Sequence, residues 1–291
     1  MTINPWRALP VVVVGIAILV AWYAGAVLLN APQVIEHLQG SGHPWSTMDL
    51  IQGTWSMKRP VLPTPGQVGA EMWTTIFDYP PTNPRSLLYH TAITASSTIF
   101  GFVLGVLVGT VLAVGIVHLR TLESSLMPWV IASQTVPILA IAPMVVVILG
   151  NMGFTGVFPK AMISAYLSFF PVTIGLVKGL RSPDPLAIDL MHTYSASKSQ
   201  TFRLLRLPTA LPFLFASLKV AVAISLVGAI VAELPTGGSR GLGARLLTGS
   251  YYGLTAQIWA ALVMAAILSL ILVWLVGLVQ RLVLGRSGAP A

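Results

Sequence analysis

Long stretches without a charged side chain alternate along the chain with short polar breaks. The first, Leu9 to Leu29, holds no charge over 21 residues. At about 1.5 Å per residue it reaches roughly 32 Å, enough to cross a hydrocarbon core. Arg7 precedes it, as a basic residue precedes a signal peptide, yet the run exceeds a typical h-region and Asn30-Ala31-Pro32 supplies no clean cleavage site. A retained spanning helix over residues 9–30 is therefore predicted, behind a short N-terminal segment 1–8. Five further apolar segments follow at Thr91–Val117, Leu126–Leu149, Val157–Val177, Leu211–Ala232 and Thr255–Leu282. The pattern predicts an all-α integral membrane protein with six transmembrane helices, residues 91–283 forming a five-helix core before a tail at 284–291.

Residues 31–90 read differently. Pro60, Pro63 and Pro65, and then Tyr79-Pro80-Pro81-Thr82-Asn83-Pro84, block a continuous helix, which predicts a loop region outside the membrane. Within it Val68, Met72, Trp73, Ile76 and Phe77 fall on one helical face after a proline-rich start, so a short helix is expected, lying at the interface or packed on the bundle.

Composition agrees with the pattern. Hydrophobic side chains make up 55% and charged ones 8%, with a mean hydropathy of +0.84, whereas an ordinary globular chain carries about 25% charged residues. A soluble globule and a disordered chain are both excluded. There is no cysteine, hence no disulfide, thiolate nucleophile or cysteine-ligated metal. The net charge of +8 comes from 16 Lys and Arg spread without a dense run, which suits membrane orientation and not nucleic acid. An even number of crossings puts both ends on one side. With the ends inside, the inner segments carry ten basic residues (Arg7, Arg120, Lys178, Arg181, Lys198, Arg203, Arg206, Lys219, Arg281 and Arg286) and the outer segments six (Lys58, Arg59, Arg85, Lys160, Arg240 and Arg245). The long first loop is discounted, since long loops translocate regardless of charge, and both termini are expected in the cytoplasm.

The segment from Lys178 to Pro208 holds five basic and two acidic residues up to Arg206, so it needs water or a protein partner. Ile188 to Phe202 lacks Pro and Gly, which fits a helix along the inner surface, and Pro208 and Pro212 are expected to break it from the next spanning helix. Here the chain resembles the binding-protein-dependent ATP-binding-cassette permeases. Their loop pattern runs Glu-Ala-Ala, three residues, Gly-Ala, five residues, Phe, two residues, Ile, one residue, Leu-Pro. Anchored on Leu207-Pro208, it places Leu205 at the Ile, Phe202 at the Phe, Ala196 at the Ala and Asp189 at the Glu. Leu190-Met191 replace Ala-Ala, and Ser195 replaces the bend glycine, which predicts a less sharp turn.

Leu62-Pro63-Thr64-Pro65, the Gly101/Gly105/Gly109 helix, Gln134-Thr135-Val136-Pro137 with Pro143, and Ala232-Glu233 followed by Gly241-Leu242-Gly243 occur in matching order. In this the chain is similar to the importer permeases for nitrate, sulfonates, taurine and thiamine-pyrimidine precursors. The resemblance implies a type I importer permease in a bacterial inner membrane. Two such subunits would form the pathway, an external solute-binding protein would deliver cargo, and a cytoplasmic ATP-binding-cassette ATPase would grip the 178–208 loop as a coupling helix. It further implies that the Gln134 segment lines the pore.

The residues read on their own leave alternatives. Gly101, Gly105 and Gly109, four apart, permit close helix contact, either with another subunit or within the chain. Gln134, Thr135, Pro137 and Pro143 lie in a run without charge from Ser124 to Pro159; the prolines free carbonyls, and Gln134 can serve a polar heterocycle or a neighbouring helix. Lys219 and Glu233 are too far apart to pair. Lys219 is read as reaching the inner headgroups, and Glu233 as a carboxylate near the outer interface, serving as a gate, a binding-protein contact or an anchor. Thr236-Gly237-Gly238-Ser239 begins a flexible outer loop. His37, His43, His90, His118 and His192 lack metal-ligand spacing, so no metal or cofactor is expected. No Gly-Lys pair exists, so there is no phosphate loop and no ATPase site. A pyrimidine-type heterocycle or a sulfonate- or nitrate-like anion is the expected cargo. A gradient-driven secondary carrier is the alternative, although it normally shows internal repeats and intramembrane ion-coupling residues.

Overall fold

A computed structural model describes residues 5–40, 44–234 and 240–287. His43 and the Thr236–Ser239 loop lie outside the described residues, as do residues 1–4 and 288–291 of the two ends. Every regular element among the described residues is helical. Five helices are long and apolar enough to cross a membrane, and a bent pair makes a sixth if counted as one span. Two compact units are formed, residues 1–89 with 245–264, and residues 90–244 with 265–291.

In the first unit, α1 (Pro5–Gly40) runs past the expected end near Asn30. Pro32 removes one backbone donor without ending the helix, and Val34 beyond it is buried. Asn30 is itself fully buried, because its side chain accepts from the Val61 and Leu62 N–H groups at 2.8 and 3.2 Å and donates to the Leu62 carbonyl at 2.9 Å. Trp22 Nε1 donates to the Pro63 carbonyl at 2.9 Å. The proline-rich segment is thus pinned to α1.

The 31–90 region is more helical than its prolines suggested. Ser46 caps α2 (Thr47–Ser56) through a reciprocal bond with Asp49. In Leu62-Pro63-Thr64-Pro65, Thr64 caps α3 (Pro65–Phe77): its hydroxyl accepts from the Gln67 N–H, and Gln67 Oε1 accepts from the Thr64 N–H. The α3 face divides. Val68 is buried, while Trp73 and Phe77 are about two-thirds exposed and meet at 4.4 Å with their rings tilted by 42°.

In the second unit, α4 (Leu87–His118), α7 (Val157–Leu180) and α10 (Leu207–Glu233) carry the core. The most apolar window of α7 is 56% buried, against 6% in α1, so α7 is the central helix of its own unit. Small residues set the spacing. Gly101, Gly105 and Gly109 of α4 press on α7, where an added Cβ would meet Ser164, Ser168 and Val172. Gly175 and Gly179 of α7 do the same against Ser217 and Ala210 of α10. Ser164 Oγ donates to the Ser225 carbonyl at 2.8 Å and Ser225 Oγ to the Thr98 carbonyl at 3.0 Å. Without a hydrophobic drive between helices in lipid, such close backbones and serine bonds hold the bundle.

The expected single helix over 126–149 is broken. α5 (Arg120–Ala132) passes through a 3₁₀ turn, Ser133–Thr135, and meets α6 (Ile138–Asn151) at a bend of 102°. Pro137 restricts the residue before it to extended backbone, which stops the helix at this point. The remaining helices are α8 (Pro185–Thr193), α9 (Lys198–Thr201), α11 (Leu242–Tyr252) and α12 (Thr255–Ser287). The last continues beyond Leu282, so residues 284–287 are helical.

Candidate functional site

The loop between α7 and α10 folds as a short helix, a turn and a lever. Asp184 caps α8 by accepting from the Leu186 N–H at 2.8 Å, with Pro185 preset for the first helical position. Leu186, Leu190 and Tyr194, spaced by four, form an apolar stripe, and their exposures of 76%, 55% and 77% leave it open. Asp189 is exposed beside them.

Ser195 has φ +54, in the left-handed region. The expectation of a blunter turn is therefore corrected: serine takes up the glycine-type conformation at a cost of about 1–2 kcal/mol. Bonds on both sides hold it, the Ser195 N–H to the His192 carbonyl and the Ala196 N–H to the Met191 carbonyl, each 2.9 Å. Ser197 then caps α9 with Gln200 in a third reciprocal box. The single helix expected from 188 to 202 is thus two, joined by this turn.

Pro208 does not break the next helix. Residues Phe202–Arg206 form one π-type turn, in which the Leu207 N–H reaches the Phe202 carbonyl. The wider turn absorbs the missing proline donor, and Lys198–Glu233 continues as one rod of 36 residues. Phe202 is half-buried, packing on the Ala113, Ile116, Leu176 and Ala210 cluster and meeting His118 at 5.0 Å. Leu205 and Ala196 are also half-buried, whereas Leu207 and Pro208 are exposed. At the loop's base the Arg181 guanidinium holds Glu123 at 2.8 Å, and that bond raises the Arg181 pKa.

At the opposite end of α10 lies a cluster that the sequence reading missed. Glu233 is fully buried, not placed at a wet interface. Thr94 Oγ1 lies 3.0 Å from both carboxylate oxygens, the Gly243 N–H donates at 2.9 Å, and Lys160 Nζ stands 3.4 Å away. Lys160 is no loop charge: it sits in α7, buried, and also donates to the Arg240 carbonyl. The Leu242 N–H donates to Thr94 Oγ1, and the Gly241 N–H to His90 Nδ1 at 3.0 Å. Gly241 has φ +113, and a Cβ there would strike the Glu233 carboxylate, so only glycine closes the turn. The motif Ala232-Glu233 with Gly241-Leu242-Gly243 is thus a clamp drawing α4, α7 and α10 together. Its sequence trace was a lysine three residues into an apolar helix.

At the bend, Tyr166 Oη donates to the Ser133 carbonyl and Thr135 Oγ1 to the Ala132 carbonyl, both at 2.8 Å. Gln134 is exposed and makes no side-chain hydrogen bond among the described residues. Thr135, Pro137 and Pro143 are exposed with it. The structure thus separates the sequence-predicted residues into the loop, the bend and the clamp. No group of three or more potential metal ligands occurs among the described residues.

A family model described as "Binding-protein-dependent transport system inner membrane component" matches residues 101–287. The chain is 29% identical over 277 residues to the riboflavin transport system permease protein of Chloroflexus aurantiacus, covering 95% of this chain and 90% of that one. It is 31% identical over 154 residues to the formylaminopyrimidine transport permease protein of Halalkalibacterium halodurans, covering 53% and 60%. Among solved structures, an amino acid ABC transporter chain superposes with a TM-score of 0.54 at 17% identity, over 67% of this chain and 92% of that one, a likeness of fold.

Proposed function

The chain belongs to the family of binding-protein-dependent transport system inner membrane components, and from that premise we propose that it forms the pathway for a small pyrimidine-type heterocycle. Membership makes it a multi-pass permease subunit of an ABC importer, a class that works with an ATPase and a solute-binding protein. Lacking a phosphate loop of its own, the chain relies on the partner for hydrolysis. The gradient-driven secondary carrier loses its ground.

Asp189, Leu190 and the turn at Ser195 and Ala196 are assigned to the ATPase contact, and Phe202, Leu205, Leu207 and Pro208 to the root that fixes the loop to α10. The observation that carries this reading is the open stripe of Leu186, Leu190 and Tyr194 on a charged loop, a surface that neither water nor lipid suits. When two ATPases close on ATP, two α8 helices move together, and the unbroken Lys198–Glu233 rod carries the displacement along the bundle. The second permease subunit is another copy or a paralogue. We assign both termini to the cytoplasmic side of a bacterial inner membrane; the burial of Lys160 in α7, which leaves the outer side one basic residue poorer, supports this reading.

Gln134 supports the cargo class. Its amide donates and accepts, matching the edge of a pyrimidine, and riboflavin and formylaminopyrimidine, named for the two relatives, share that ring. A sulfonate- or nitrate-like anion asks for a cation, and none lies between Ser124 and Pro159. The test is uptake into proteoliposomes holding the chain with its ATPase and binding protein. ATP-dependent entry of a labelled pyrimidine, indifferent to ionophores and lowered about tenfold or more by Gln134→Leu, is expected. Uptake driven by an ion gradient, or of taurine in place of the heterocycle, contradicts the reading.

A further inference from the structure

Between α10 and the C-terminal half of α12 runs a groove of about 530 Å³, lined by Lys219, Trp274, Gly277, Leu278, Gln280 and Arg281 among others. Lys219 lies against Gly277, where an added Cβ would sit 3.8 Å from its Cε. The glycine thus lets the lysine stem lie along α12. Arg281 follows Gly277 by four residues and shares its face. Neither cation makes an ion pair or a hydrogen bond among the described residues. No carboxylate among the described residues pairs with them: α12 has no Asp or Glu, and Glu233 on α10 is 14 residues away and engaged by Lys160. That separation is roughly 21 Å along the helix.

Two cations in one groove of apolar spanning helices are costly without an anion. The walls say which kind. Trp274 is 63% exposed and Leu278 40%, so the groove opens sideways onto exposed apolar side chains of spanning helices. A soluble anion leaves those walls wet, whereas a lipid covers them. We propose that this groove is a binding site for an anionic phospholipid, its phosphate held between Lys219 and Arg281 and its acyl chain laid against Trp274 and Leu278. Arg281 supplies a planar fork for two phosphate oxygens and Lys219 a point charge. Gln280 adds a donor for the ester region. The site is independent of the cargo and requires only that the chain reside in a bilayer.

The test uses the full chain purified with its ATPase in a neutral detergent. Native mass spectrometry with phosphatidylglycerol or phosphatidylcholine reads retained lipid, and wild type is expected to prefer phosphatidylglycerol on the order of tenfold, since each basic residue contributes to anionic-lipid attraction. The Lys219→Gln/Arg281→Gln double variant is expected to lose that preference. Quenching of tryptophan fluorescence by brominated lipids gives a second readout that needs no folded double variant. Brominated phosphatidylglycerol should quench more than brominated phosphatidylcholine, and the excess should vanish in Trp274→Phe. Equal retention and equal quenching of the two lipids overturns the proposal. Displacement of phosphatidylglycerol by inorganic phosphate alone overturns the lipid assignment and leaves a free-anion site.

Discussion

The two ends of α10 are built on opposite principles. At Glu233 the polar groups face inward, and the fully buried carboxylate takes bonds from Thr94, Gly243 and Lys160. At the α8 end, apolar residues face outward, and the ion pair fastening the loop, Arg181 with Glu123, is part-exposed. A closed polar cluster rigidifies and commits a region to one arrangement, whereas an open apolar stripe is unfinished until something covers it. The contrast teaches where this chain is self-sufficient and where it awaits a partner.

Breaking the closed end should have the largest effect. Glu233→Ala leaves Lys160 buried without its counter-charge and the Gly243 N–H without an acceptor, and a broken buried pair costs about 3–5 kcal/mol. A marked fall in the thermal unfolding midpoint of the purified chain is expected, with Glu233→Gln milder because its amide oxygen still accepts. An unchanged midpoint would show that the cluster is not the clamp described. Next in size is the helix seam. Gly105→Val drives a branched side chain into Ser168 and the Ala165 carbonyl, at a cost of about 1–3 kcal/mol for overpacking. Gly15→Val, with no heavy atom near its added Cβ, should be silent in the same unfolding assay.

The open end should respond in coupling before stability. Ser195→Gly keeps the turn and should preserve transport, whereas Ser195→Val, a branched residue forced to φ +54, should lower binding-protein-stimulated ATP hydrolysis while unfolding changes little. Equal activity of the two variants would separate the turn from coupling. Smallest of all, Glu123→Gln should leave the unfolding midpoint unmoved, since exposed ion pairs contribute little. A large drop would mean that the loop's base is more tightly held than its exposure indicates.

How much of this was legible in the sequence follows the same division. Local signals survived well. Thr64 and Pro65 announce the start of α3, and charge-free runs of bilayer length announce the spans. What failed depended on partners distant along the chain. Pro208 looks like a breaker by itself, yet a π-type turn five residues long accommodates it. Pro137 looks like a kink and gives a 102° bend, because the 3₁₀ turn before it is tied to Tyr166. Glu233 reads as a surface carboxylate until Thr94 and Lys160, 139 and 73 residues away, are brought to it. Ser195 differs again. Its register against the loop pattern marked the bend, but serine's acceptance of a left-handed conformation rests on the hydrogen bonds flanking it.

The absence of cysteine from the sequence makes the central claim directly testable in the native background. Leu190→Cys places a single thiol on the open stripe of α8, and a matched cysteine can be scanned across the surface of the cognate ATPase in inverted membrane vesicles. A cross-link is expected whose yield changes when ATP is bound, with the thiol reachable by an impermeant maleimide only from the cytoplasmic face. Labelling of Cys at that position from the outside of intact cells, or transport that continues with no ATPase cross-linked or co-purified, would contradict it.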